Sequence, residues 1–138
     1  MFGVIWIVQL VHYPMLVGLN QIEFNSWHEF HARRISFIVA PLMVFELGAS
    51  LAAVYFQGAG DRFNANLILA ALTVGVWAST FLLSVPLHDQ LAKSGYNLKV
   101  LSKLVQTNWI RTVLYTCKLC LMIFVLSGLR NSIVMLSI

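Results

Sequence analysis

Residues 24–34 read FNSWHEFHARR and pass without a break into ISFIVAPLMVFELGASLAAVYF at 35–56. The second part is an apolar run long enough to cross a hydrocarbon core, which takes about 20 helical residues. The first part carries His28 and His31, which share a helical face because they are three apart, and the pair Arg33 and Arg34. Deep in the apolar run stands Glu46. A carboxylate there is costly unless something compensates it.

Working outward, the rest of the chain repeats the pattern. Apolar runs occupy about 1–19, 66–87 and 109–129, which with 35–56 makes four candidate spans in one domain over 1–138. The composition agrees: 138 residues, 59% hydrophobic, 10% charged, mean hydropathy +0.81. That is too apolar for a soluble domain of this length. Lipid offers backbone groups no partner, and four spans cannot close a barrel, so the spans must be helices. The expected fold is therefore all-α, an integral membrane four-helix bundle. Trp27, Phe30 and the two histidines extend the second span along the membrane surface. Leu98, Leu101, Leu104 and Val105 set against Lys99 and Lys103 give 97–106 the pattern of a short interfacial helix. The glycines of 57–64 fit a tight reversal.

The net charge of +4 comes from basic residues in the links between spans, so anionic lipid headgroups are the expected partner and nucleic acid is not. Arg33, Arg34, Lys93, Lys99, Lys103 and Arg111 fall on one face, against Arg62 and Arg130 on the other. By the positive-inside rule the first face is cytoplasmic, with both termini outside, as expected in a bacterial inner membrane. The opening residues lack the basic region and clean apolar stretch of a signal peptide.

The same alternation places His12, His28, His31 and His88 on the cytoplasmic side, together with Glu23, Asp89, Tyr13, Asn108, Trp109 and Arg111. Imidazoles from three helices and nearby carboxylates are the ingredients of a metal site in a helical bundle. Imidazole suits zinc, copper or iron, and carboxylate shifts the balance toward iron or manganese. Haem is a variant, held by His12 and His88. Glu23 and Asp89 are candidate ligands or bases, and Arg111 a candidate clamp for a developing oxyanion. The plainer alternative is that histidine and tryptophan sit at the interface because amphipathic rings are comfortable there.

Counted at about 1.5 Å per residue, Gln9, Glu46, Trp77 and Lys118 share a depth of roughly 14–16 Å. Glu46 and Lys118 are expected to meet inside the bundle, either as a structural pair or as a proton or substrate site. Cys117 and Cys120 have C-x-x-C spacing, a redox signal that normally needs a second pair.

Val11-His-Tyr-Pro14, Pro86-Leu-His-Asp-Gln-Leu91 and Asn108-Trp-Ile-Arg-Thr112 together resemble a small four-helix membrane family that includes anthrone-oxygenase-like proteins. The resemblance implies a four-span bundle with an oxygenase-like activity in some members. His88 departs from it, since that position is more usually asparagine in the family. Two functions follow as expectations. One is a metal-binding membrane oxidoreductase acting on a small lipophilic molecule, quinol or polyaromatic. The other is a non-catalytic small transporter or accessory subunit built on Glu46 and Lys118. Gly48, Ala49 and Ala52 are compatible with an internal contact, a homo-oligomer or a larger membrane assembly.

Overall fold

The computed structural model describes the backbone of residues 1–57 and 63–136, with side chains for 1–56 and 63–127. Four helices follow in order: α1, Phe2–Val17; α2, Gln21–Gln57; α3, Phe63–Ser94; and α4, Leu98–Leu136. No strand occurs among the described residues. α2, α3 and α4 are long and apolar enough to cross a membrane, whereas α1 is shorter. At about 1.5 Å per residue, α1 reaches roughly 24 Å, so of the four spans expected from sequence three are long helices and the first is a short one. Most of the reversal expected at 57–64 lies outside the described residues.

Local signals explain the helix ends. Asn20 caps α2: its Oδ1 accepts the Glu23 backbone N–H at 2.9 Å, and Glu23 Oε2 accepts from Asn20 Nδ2 at 3.1 Å. The spacing is that of a capping box with asparagine at the cap, although Glu23 here accepts from the side-chain amide rather than from the backbone N–H. Asn97 caps α4 in the same way, accepting the N–H groups of Lys99 and Val100 at 3.1 and 3.3 Å. Nothing breaks the helix after that cap, so the short interfacial helix expected at 97–106 is instead the first part of α4. Of its apolar face, Leu101 and Leu104 are fully covered, while Leu98 stays 51% exposed.

Between α3 and α4 the chain reverses at Gly95, with φ +72° and ψ −157°. That region is open essentially to glycine alone. A Cβ there would also stand 3.3 Å from Asn25 Oδ1. Gly95→Ala is expected to lower stability by about 1–3 kcal/mol, as a fall in the thermal unfolding midpoint in detergent with helical content unchanged below it.

α1 and α3 each contain one π-helical turn, at Val8–His12 and Thr80–Ser84. Each turn ends two residues before a proline, Pro14 and Pro86. Proline has no N–H to give and crowds the carbonyl four residues back. Those carbonyls belong to Leu10 and Leu82, inside the two widened turns.

α4 packs between α1 and α3, and α3 packs on α2. One apolar core, near the α3–α4 reversal, joins Tyr13, Leu16, Phe24, Leu91, Leu101 and Leu104. A second joins Ile5, Met43, Val76 and Tyr115. Beyond these cores the apolar side chains point outward, and only 11% of the most apolar window of α2 is buried. An outward-facing apolar surface on this scale is not that of a soluble monomer.

Candidate functional site: a histidine-capped cavity

α2 and α3 touch where Ser50 meets Thr73, at 3.1 Å. Toward the opposite end, an elongated cavity of about 900 Å³ lies between them, with α1 and α4 behind it. It runs along α2 from Asn25 to Val44, so one hollow reaches from the histidines to the neighbourhood of Glu46. Its walls are mainly apolar, among them Val39, Met43, Val76 and Phe81. Val44, Phe81 and Val85 line it yet remain 47–61% exposed. The opening is thus lateral, between α2 and α3.

All four histidines gather at one end. His28 Nε2 lies 3.0 Å from His88 Nδ1, with the rings stacked at 5.2 Å between centroids. His12 and His31 meet edge to face at 4.3 Å. Two of the imidazoles, His28 and His31, are nearly fully covered. Both precede the apolar run that begins at Ile35, and burial pushes both below the ordinary histidine range. His31 falls to about 4, with His12 and His28 adding to the effect of burial. Buried imidazoles therefore stay neutral at neutral pH, and the His28–His88 contact is one N–H donated to one lone pair.

The other candidates divide clearly. Arg111 and Tyr13 line the cavity beside His88. The Arg111 guanidinium donates to Tyr13 Oη at 3.3 Å, and from Nε to Asn108 Oδ1 at 3.0 Å. Asn108 Nδ2 donates in turn to Gln9 Oε1 at 2.6 Å, and Gln9 Nε2 reaches the Val105 carbonyl at 3.5 Å. Gln9 and Asn108 are thus buried behind the cavity wall, holding Arg111 in place. No carboxylate pairs with Arg111 among the described residues, where the ion pairs are Arg33–Glu29, Lys93–Asp89 and Lys118–Glu46.

Glu23 is exposed and engaged in its cap. Asp89 sits at the cavity rim, and its carboxylate takes Lys93 at 2.7 Å. Trp109 packs edge-on to Trp6 at 5.9 Å, away from the cavity. Cys117 and Cys120 are free and exposed. Glu46 Oε1 lies 3.0 Å from Lys118 Nζ, and Lys118 also donates to Ser50 and Thr73. Sequence reasoning had no signal for these two hydroxyls, because small polar residues are ordinary in helices and only their partner gives them a role.

Trp77 lines the cavity as well, with its indole nitrogen buried and without a hydrogen-bond partner among the described residues. The Tyr115 hydroxyl, overlooked in the sequence, is in the same condition. The Glu46 carboxylate is its polar neighbour. Buried polar atoms without partners are rare, and each calls for an explanation such as a missing ion, water or ligand.

As for a metal, the described residues contain no group of three His, Cys, Asp or Glu side chains arranged to share one ion. Two imidazole nitrogens 3.0 Å apart do come close to the separation of neighbouring ligands that each stand about 2.0–2.1 Å from one ion. Of the two histidines named for haem, His12 stands against His31 and His88 against His28. No family model, curated protein or solved structure matches this chain.

Proposed function

We propose that the chain is an integral membrane oxidoreductase that takes a small lipophilic molecule into the cavity between α2 and α3. A transition metal bound at His28 and His88 would assist it. The carrying observation is the cavity itself: apolar walls, a lateral opening, and a cation with imidazoles at one end. An apolar cleft with a few convergent polar groups is the default form of a small-molecule site. Arg111 orients the polar oxygen of the ligand. Tyr13 accepts from Arg111 and keeps its own proton to donate. A metal on the imidazoles would supply Lewis-acid or redox chemistry at this end. On the charge rule the histidine end faces the cytoplasm of a bacterial inner membrane, with lipid as the surrounding partner.

A second reading rests on Glu46 and Lys118. Their pairing, shored up by Ser50 and Thr73, suits a non-catalytic transporter or accessory subunit in which the polar centre holds helices together or passes a proton.

The test is metal quantification and 2-naphthol binding on protein purified gently into lipid nanodiscs. A stoichiometric metal, lost in His28→Ala/His88→Ala, supports the oxidoreductase. Naphthol binding that weakens about tenfold in Arg111→Met, the worth of one charged hydrogen bond, supports the cavity. Naphthol binding without metal removes the metal-assisted enzyme and leaves the second reading. No binding at all removes the cavity as a ligand site.

A further inference from the structure

On the cavity wall the acids are answered by neighbours and the guanidinium is not. Glu29 and Asp89 stand at the histidine end, and each is held by a base one turn further along its own helix, Arg33 and Lys93. Arg111 also lines the space, and among the described residues no carboxylate meets it. Its partners, the Tyr13 hydroxyl and the Asn108 side-chain carbonyl, are neutral and are reached from Nε and Nη2. Nη1 keeps its two N–H groups without an acceptor among the described residues, and it is not one of the side-chain atoms sealed from space. A guanidinium with an open edge is the side chain best matched to a carboxylate.

The polarity of the space is confined to that end. Away from His88 the wall is built of Ile35, Val39 and Met43 on α2 and of Val85, Phe81 and Val76 on α3. Ser36 and Thr80 also line it, but each donates its hydroxyl to a carbonyl one turn back on its own helix. At the deep end the Trp77 indole nitrogen and the Tyr115 hydroxyl are sealed from the space. From His88 to Val76 the helix rises roughly 18 Å, and one acyl chain covers about 15 Å, half of a bilayer's hydrocarbon core. A neutral ring would leave the guanidinium unanswered and fill only part of that length. At about 900 Å³ the volume is that of a site for one small molecule, which favours one chain over the two of a phospholipid.

Resting on the cavity reading proposed above, we infer that the ligand is a long-chain carboxylate, its head on the open edge of Arg111 and its chain lying between α2 and α3 toward Val76.

The experiment photolabels the protein in nanodiscs of zwitterionic lipid at about pH 9, which keeps a carboxylic acid ionised at the bilayer surface. The probes are palmitic acid with a diazirine near its methyl end and the matching alcohol, at equal mole fraction of lipid. Met43 and Val76 line the deep part of the cavity and are only 5% and 1% exposed, so label on them marks a chain inside rather than lipid outside. Wild type is expected to carry at least about ten times more label there from the acid than from the alcohol, the worth of one charged hydrogen bond. Arg111→Met should erase that excess. Equal labelling of wild type by acid and alcohol overturns the inference, with or without a folded variant, and so does an excess that survives in Arg111→Met. Competition by phosphatidylglycerol as strong as by unlabelled palmitate assigns the site to a two-chain lipid and overturns it too. In each of these cases label on Met43 and Val76 leaves the cavity reading standing. If neither probe labels them the inference fails, and the cavity reading falls with it only if 2-naphthol also fails to bind.

Discussion

Lys118→Met is expected to lower unfolding stability by roughly 3–5 kcal/mol, while Lys118→Met/Glu46→Leu recovers most of the loss. The reasoning starts from burial. Lys118 has a side chain 7% exposed and Glu46 one 22% exposed, at 3.0 Å. Removing the ammonium alone strands a carboxylate among apolar helices and strips the Ser50 and Thr73 hydroxyls of their donor. Removing both charges leaves a site that apolar side chains fill at little cost. Denaturant titration in mixed micelles on the two single variants and the double gives the coupling directly. If the loss in the double variant equals the sum of the losses in the two single variants, the pair contributes nothing to the fold, and Glu46 would then be the residue to examine for a proton-handling role.

Asn108→Leu ranks next, at about 3 kcal/mol. Asn108 is fully buried and sits between Gln9 on α1 and Arg111 on its own helix. Leucine fills the volume but leaves the Gln9 amide and part of the guanidinium without partners. Each buried unsatisfied group costs about 1–3 kcal/mol. The companion variant Asn108→Leu/Gln9→Leu removes both members of the α1–α4 bond and is expected to regain at least about 1 kcal/mol. The same micelle titration checks it. Unchanged stability in Asn108→Leu would place the docking of α1 wholly on its apolar contacts.

Much of this was legible in the sequence, because it depends on which residues sit at which depth. Alternating helices bring His12, His28, His31 and His88 to one end, and counting residues brings Glu46 level with Lys118. What escaped depends on azimuth. A π-turn inserts an extra residue into the helical count, so a pattern carried across Thr80–Ser84 or Val8–His12 slips and loses the face on which His88 or Tyr13 lies. Glu23 has a simpler structural place: Asn20-Gln-Ile-Glu23 is a capping signature, and the acid is engaged with Asn20 at the start of α2. The continuity of α4 was hidden because Asn108 and Arg111 look like the polar rim of a span, while the packing of Leu101 and Leu104 against Phe24 and Leu91 is visible only in three dimensions.

The sideways mouth between α2 and α3 also fixes how ligand must be dosed. If that mouth opens onto acyl chains, the binding site equilibrates with solute dissolved among the lipids, and the aqueous phase acts only as a reservoir. Apparent dissociation constants would then rise in proportion as more lipid is added at constant protein, and homologous probes of growing alkyl length would appear to gain affinity through partition alone. Occupancy would be set by moles of probe per mole of lipid, the quantity on which titrations made at different lipid loads should superimpose.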